Sequence, residues 1–144
     1  MEIIVRSPEN DQEWETYYQL RWAILRQPWK QPKGSEKDQL EKESYHAAAF
    51  MEDILVGVGR INFEDGVGKI RFMATAPKAE RKGVAKMIVQ YLEQKAREND
   101  IKTIQLNARE TALPFYEKQG YQLLQKGHLL YRDIQHYFTE KVTL

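Results

Sequence analysis

The chain contains no cysteine, which removes disulfides, thiolate zinc sites and a cysteine nucleophile together. That absence agrees with a cytosolic protein. Charge bias is also missing. With 22 basic against 21 acidic residues there is no general field for nucleic acid or an anionic membrane surface, so any basic character must be local. No apolar run approaches the roughly 20 residues that span a bilayer. The first residues, Met1–Arg6, carry neither an apolar leader core nor a small-residue cleavage pattern. The expectation is a soluble, cytoplasmic protein. Histidine is scarce, at 46, 128 and 136 only, without metal-ligand spacing, so no metal is expected. Neither GxGxxG nor GxxxxGK[ST] occurs, which disfavours a nucleotide-binding α/β protein of the usual kinds. What remains, 42% apolar and 30% charged residues over 144 positions, suits one domain, 1–144, with one core.

The pattern of elements predicts an α/β (α+β) fold. Glu2–Arg6 reads as a short strand closed by Ser7-Pro8. Asn10 with Glu13 has capping-box spacing and opens a helix to about Arg26, stopped by Pro28 and Pro32. The charged stretch Gln27–Ser44 is loop, with one or two helical turns around Leu40. Three strands follow as an antiparallel meander: Tyr45–Met51, Ile54–Phe63 and Val67–Thr75, turned at Glu52-Asp53 and Asp65-Gly66. After Gly83, the residues Val84, Ile88, Leu92 and Ala96 recur at helical spacing. A strand over Ile101–Ala108 must then run parallel to Val67–Thr75, because a helix crosses between them. Thr111 caps a short helix, Ala112–Gln119, ended by Gly120. Tyr121–Lys126 and Leu129–Arg132 read as a closing strand pair around Gly127-His128, and the tail from Asp133 is either strand or short helix.

Two stretches carry chemistry. The first is the basic turn Glu80-Arg81-Lys82-Gly83-Val84-Ala85-Lys86, placed between a strand and a helix. Unpaired N–H groups and the positive end of the helix dipole converge there on one place, an anion site. Cations at a helix N-terminus oppose the dipole, so three of them make sense when an anion is bound; the alternative is a solvated basic helix start. The second is Asn107 to Tyr121, a strand end leading into a short helix with Phe115 and Tyr116 at the carboxyl edge of the sheet, where open α/β sheets bind ligands. The alternative there is a pair of core aromatics.

Together these stretches resemble the GNAT N-acetyltransferase superfamily, as a small stand-alone member. The family's cradle is Gln/Arg-x-x-Gly-x-Gly/Ala; Glu80 to Ala85 stands in that register, with Gly83 and Ala85 matching and Glu80 departing. The second signature, Ala-x-x-Phe/Leu-Tyr-x-x-x-Gly-Phe/Tyr, is met by Ala112, Phe115, Tyr116, Gly120 and Tyr121. The order of elements agrees along nearly the whole chain. The resemblance implies a mixed central sheet and acetyl-CoA as co-substrate, with transfer of its acetyl group to a primary amine of a small molecule or peptide. It implies that Arg81, Lys82, Gly83, Val84, Ala85 and Lys86 hold the CoA diphosphate. Met73, Ala74 and Thr75 would pair with the pantetheine arm. Asn107 would contact it in place of the family's Asn, whose own position is Arg109. Tyr116 is the expected general acid toward the departing thiolate.

The acceptor side is less legible. The strand Val67–Thr75 has no acid to act as base. Its Arg71 reads either as a partner for an acidic substrate group or as an exposed strand arginine. His46 and His128 have suitable ordinary pKa values, yet a lone histidine is more often structural. Trp22, Trp29 or Tyr45 would line the acceptor pocket if they are not core, and specificity is expected in 22–44. The closing strands and tail offer a surface for a homodimer. The runner-up function is a CoA-binding regulatory module without catalysis.

Overall fold

A computed structural model describes residues 2–143. Its frame is one seven-stranded sheet in the order β1-β2-β3-β4-β5-β7-β6. The strands are β1 (Ile3–Arg6), β2 (Tyr45–Met51), β3 (Ile54–Glu64), β4 (Val67–Thr75), β5 (Thr103–Arg109), β6 (Gln122–Leu130) and β7 (Ile134–Val142). The helices are α1 (Asp11–Leu25), α2 (Val84–Glu98) and α3 (Leu113–Lys118). All neighbouring pairs are antiparallel except β4–β5, the parallel pair that the α2 crossover requires. No helix among the described residues is long and apolar enough to cross a membrane.

The two faces of the sheet are covered by different helices. Alternation along β2 sends Ala48 and Phe50 to the α1 side and Ala47, Ala49 and Met51 to the α2 side. On the α2 side, Val84, Ile88, Leu92 and Ala96 are buried. They descend close onto β3 because Gly57 and Gly59 have no side chain. A Cβ at Gly57 would lie 2.6 Å from Val84 Cγ1, and one at Gly59 would lie 2.6 Å from both Ile88 Cγ2 and Met73 Sδ. On the other face, Tyr17 and Arg21 of α1 are fully buried. The Tyr17 hydroxyl lies 2.8 Å from His46 Nδ1 and 3.0 Å from the Gly59 carbonyl oxygen.

Under α1 runs a polar network centred on the Glu41 carboxylate. It accepts from Arg21 Nη1 at 2.9 Å, Arg60 Nη1 at 2.8 Å, the Tyr18 hydroxyl at 3.1 Å and the Asp38 N–H at 3.1 Å. Arg60 Nη1 also donates to Asp38 Oδ1 at 2.6 Å. Two fully buried guanidinium groups are tolerable only because these carboxylates face them. This network anchors the loop between α1 and β2, where the sequence predicts little regular structure and the fold has two short 3-10 turns, Gln27–Trp29 and Glu41–Glu43.

Four local expectations change. Asn10 does cap α1, its Oδ1 accepting the Glu13 N–H at 2.9 Å, but the Glu13 carboxylate takes the Glu9 N–H and Arg6 instead of closing the box. Thr111 is not a cap. The chain leaves β5 through a 3-10 turn, Glu110–Ala112, which moves the start of α3 to Leu113. Gly127-His128 is not a turn either; it is a bulge within the continuous β6, where the register to β7 shifts between Lys126 and Leu129. A Cβ at Gly127 would meet the His136 carbonyl oxygen at 3.1 Å, so the glycine serves close strand approach. The hairpin turns instead at Tyr131 and Arg132, both left-handed (φ 53° and 58°), closed by Asp133 N–H to the Leu130 carbonyl at 3.0 Å. The tail is therefore a strand, β7, inserted between β5 and β6.

Candidate functional site

β4 and β5 pair only from Val67–Thr103 to Ile70–Leu106 and then part. Past Ile70, one edge of β4 from Arg71 to Thr75 is left without a strand partner, although its other edge remains paired to β3 through Val58–Ala74 and Gly57–Thr75. The gap opens a cleft of about 390 Å³. Met73 from β4, Asn107 from β5, Tyr116 from α3 and His136 from β7 all reach it. A larger groove of about 570 Å³ lies elsewhere, beside the start of β2, lined by Tyr45, His46 and Tyr91. It has neither an open strand edge nor the signature residues, so the smaller cleft is the better candidate.

The edge is shaped by a bulge. Val58 faces Ala74 while Arg60 faces Arg71, so β4 carries one residue more than β3 across this step. Phe72 sits in it with φ of 60°, a left-handed conformation that strains an aromatic residue by about 1–3 kcal/mol. Its ring is held by flanking guanidinium groups, with Arg21 Cζ 4.4 Å and Arg60 Cζ 4.7 Å from the centroid. The Glu41 network thus has a second effect: its two arginines hold the ring of the strained residue that precedes cleft-lining Met73. Nothing in the sequence pattern marks Phe72, because alternation along the strand conceals an extra residue.

Tyr116 is 7% exposed and packs edge-on against Phe115 at 5.0 Å and Tyr121 at 5.9 Å. Its hydroxyl has no hydrogen-bond partner among the described residues. Burial pushes its pKa up, and the Arg109 charge opposes that only in part. The group is a protonated donor throughout the neutral range. The neighbouring Tyr121 has its hydroxyl committed, donating to Glu93 Oε2 at 2.9 Å.

Beyond β4 lies the basic turn. Arg81 and Gly83 are both left-handed (φ 62° and 86°), and Gly83 opens α2 with no side-chain cap and no acidic residue in the first turn. The N–H groups of the first turn therefore have no side-chain cap among the described residues. A Cβ at Gly83 would meet nothing within 4 Å, so the space before the helix is open. Arg81, Lys82 and Lys86 are exposed there, whereas the Val84 side chain is buried in the core and only its backbone is available to a ligand.

The candidates for the acceptor side sort clearly. His46 belongs to the α1 network, its Nε2 donating to the Glu41 carbonyl at 2.7 Å, and burial lowers its pKa. It does not reach the cleft. Trp22 donates Nε1 to the Gln31 carbonyl at 3.0 Å, and Tyr45 packs on Phe63 at 5.8 Å; neither lines the cleft. Trp29 stands at its rim, over Arg109. His128, one of the two histidines considered for a base, lines the cleft, stacked at 4.2 Å on His136, which the sequence leaves without a role. Burial, then the neighbouring His128, lowers the His136 pKa, so its ring is neutral at pH 7.

Known proteins resemble this chain in sequence and in overall fold. The profile of the Acetyltransferase (GNAT) family matches residues 14–121. The uncharacterized N-acetyltransferase YjcF of Bacillus subtilis (strain 168) is 30% identical over 128 residues, covering 89% of this chain and 91% of the relative. Among solved structures, an aminoglycoside 6'-N-acetyltransferase complexed with coenzyme A superposes with a TM-score of 0.82 at 17% identity, covering 100% of this chain and 98% of the other. The PaiA N-acetyltransferase of Thermoplasma acidophilum, also in complex with coenzyme A, gives 0.76 at 13% identity, covering 99% of each. Sequence and fold agree: this chain belongs to the GNAT acetyltransferase family.

Proposed function

We propose that the protein is an acetyl-CoA-dependent N-acetyltransferase that moves an acetyl group directly to a primary amine of a small molecule or peptide. The observation that carries the reading is the unpaired edge of β4 opposite Tyr116, whose side chain lines the cleft and whose hydroxyl has no hydrogen-bond partner among the described residues. That the two structural neighbours were crystallised with coenzyme A supports the choice of ligand. The residues fit it. The first-turn N–H groups of α2 and the side chains of Arg81, Lys82 and Lys86 offer donors and positive charge to a diphosphate, and Gly83 leaves room for it. The free edge at Met73–Thr75 pairs with the amide-bearing pantetheine arm as an added strand would, with Asn107 opposite.

Acetyl-CoA supplies an activated thioester carbonyl. Around it, a backbone N–H of Met73 or Ala74, aimed by the bulge, donates to the oxygen on which charge develops. Tyr116 donates its hydroxyl proton to the departing sulfur. Of the cleft-lining groups, the neutral imidazole of His136, stacked on His128, is placed to take the proton the amine must lose. In this reading the acetyl group passes directly from thioester to amine, and the chain has no cysteine that could carry it between them.

The test is thiol release from acetyl-CoA across a panel of primary amines, beside thermal shifts with acetyl-CoA, ATP and NAD. Stabilisation by acetyl-CoA alone and turnover of at least one amine are expected. Stabilisation without turnover of any amine would favour the regulatory module instead, and stabilisation by ATP or NAD but not acetyl-CoA would refute the cofactor.

A further inference from the structure

The cleft carries more positive charge than acetyl transfer to a neutral amine explains. Arg26, Arg71 and Arg109 all line it, and no aspartate or glutamate does. Arg109 extends from the end of β5 in the register opposite His136. It is half-buried, forms no hydrogen bond or ion pair among the described residues, and stacks its guanidinium over the Trp29 ring at 5.1 Å. Burial, then the neighbouring Arg26 cation, makes its charged form less favourable than in water. Arg26 is fixed by its own bonds, Nε to the Ser35 carbonyl at 3.0 Å and Nη1 to the Leu25 carbonyl at 3.1 Å, which leaves Nη2 free among the described residues. Arg71 is partly engaged elsewhere, its charge helping to lower the Asp38 pKa.

Two facing cations in a half-buried cleft repel one another, and such an arrangement is stable when an anion completes it. CoA does not supply that anion here. Its phosphates belong to the cradle beyond the end of β4, and the arm that enters between the strands is uncharged. Trp29 also holds the site in shape. Its Nε1 donates to Asp133 Oδ2 at 2.9 Å and its ring stacks on Tyr131 at 6.1 Å, so the exit of α1 and the β6–β7 turn meet over the arginines. Those are the segments that bound the side of the cleft away from the cradle.

We propose that Arg109 and Arg26, with Arg71 at the rim, form a subsite for an anionic group, carboxylate or phosphate, borne by the amine acceptor. The inference rests on the acetyltransferase reading and narrows its acceptor to an anionic primary amine. The guanidinium fork accepts either oxyanion in two-point fashion, so the experiment separates the sources. Acetyl transfer is measured on ornithine against putrescine, and on O-phosphoethanolamine against ethanolamine. Binding of the same four amines to the CoA-saturated protein is followed by thermal shift.

At least one anionic member should exceed its neutral partner by about ten- to a hundredfold in kcat/KM, the range set by a hydrogen bond to a charged group. The pair that shows the gap identifies carboxylate or phosphate. In Arg109→Gln and Arg26→Gln the ratio should collapse toward one through KM, with acetyl-CoA affinity kept within about threefold. Equal behaviour of both pairs overturns the inference, as does a preference that survives both substitutions or the absence of a shift with all four amines. Failure of acetyl-CoA itself to bind overturns the transferase reading; acetyl-CoA binding without an arginine-dependent preference overturns the subsite alone.

Discussion

Replacing Tyr116 by Phe isolates one oxygen atom. The ring keeps its edge-on contacts with Phe115 at 5.0 Å and Tyr121 at 5.9 Å, so the buried apolar area is retained. The hydroxyl has no partner among the described residues, so no intramolecular hydrogen bond is lost and none is left half-made. The stability change should lie within about 0.5 kcal/mol of zero, less than a few degrees in Tm for a domain of this size. The chemical step should respond very differently. A positioned general acid contributes about 10²- to 10⁴-fold, or roughly 2.7–5.4 kcal/mol at 1.36 kcal/mol per decade. Because burial raises the Tyr116 pKa, the wild-type hydroxyl stays protonated across the neutral range, and the loss in kcat should be the same at pH 6.5 and pH 8. The assay is initial-rate thiol release under saturating acetyl-CoA, with a thermal melt and an acetyl-CoA titration on the same preparations. A fall in kcat of less than about threefold refutes the proton-donor role. A large fall accompanied by equally weakened acetyl-CoA binding refutes it too, since the oxygen would then be acting in binding.

Three further outcomes are expected. Gly83→Glu places an acidic side chain on a left-handed residue and in the open space before α2, where the proposed diphosphate would sit; acetyl-CoA stabilisation should vanish, and a normal shift would refute the diphosphate cradle. Glu41→Gln leaves the buried Arg21 and Arg60 short of one carboxylate, with Asp38 still on Arg60; breaking such a network costs about 3–5 kcal/mol, near the lower figure here, and a denaturation midpoint showing under about 1 kcal/mol would refute the account. The pH dependence has a definite sign. The folded pKa of His46 lies below its ordinary 6.5 because burial disfavours the cation, so its share of stability is complete above pH 6.5 and is lost as pH falls toward the folded value. Glu13, lowered from 4.5 to about 2 by its bonds to Arg6 and the Glu9 N–H, keeps its share down to pH 4.5 and loses it between there and about 2. Melts should be flat from pH 8 to 7 and decline below 6.5; a flat profile to pH 5 would contradict the buried neutral histidine.

Much of the fold was legible because local rules and global needs coincide. β2 and β4 fall on the predicted bounds, set by turn residues at Glu52-Asp53 and Asp65-Gly66, and α2 begins where the apolar spacing after Gly83 puts it. The closing hairpin was misplaced because Gly127-His128 carries the same composition as a turn. Its glycine is there for the approach of the His136 backbone, a tertiary requirement that composition does not reveal. The turn was built from Tyr131 and Arg132, whose left-handed conformation is disfavoured locally and imposed by strand pairing on either side.

The site divides along the same line. The basic turn Arg81–Lys86 and the Phe115-Tyr116 helix are contiguous motifs, and their sequence alone is enough to point to the family that the comparisons show. The proposed acceptor side would draw on Arg26, Phe72, Arg109, His128 and His136, cleft-lining residues that stand on five different segments. Their meeting depends on how far β4 and β5 part, on a bulge invisible to alternation, and on β7 threading between β5 and β6. Those are properties of strand register and long-range packing, and only the tertiary structure could decide them.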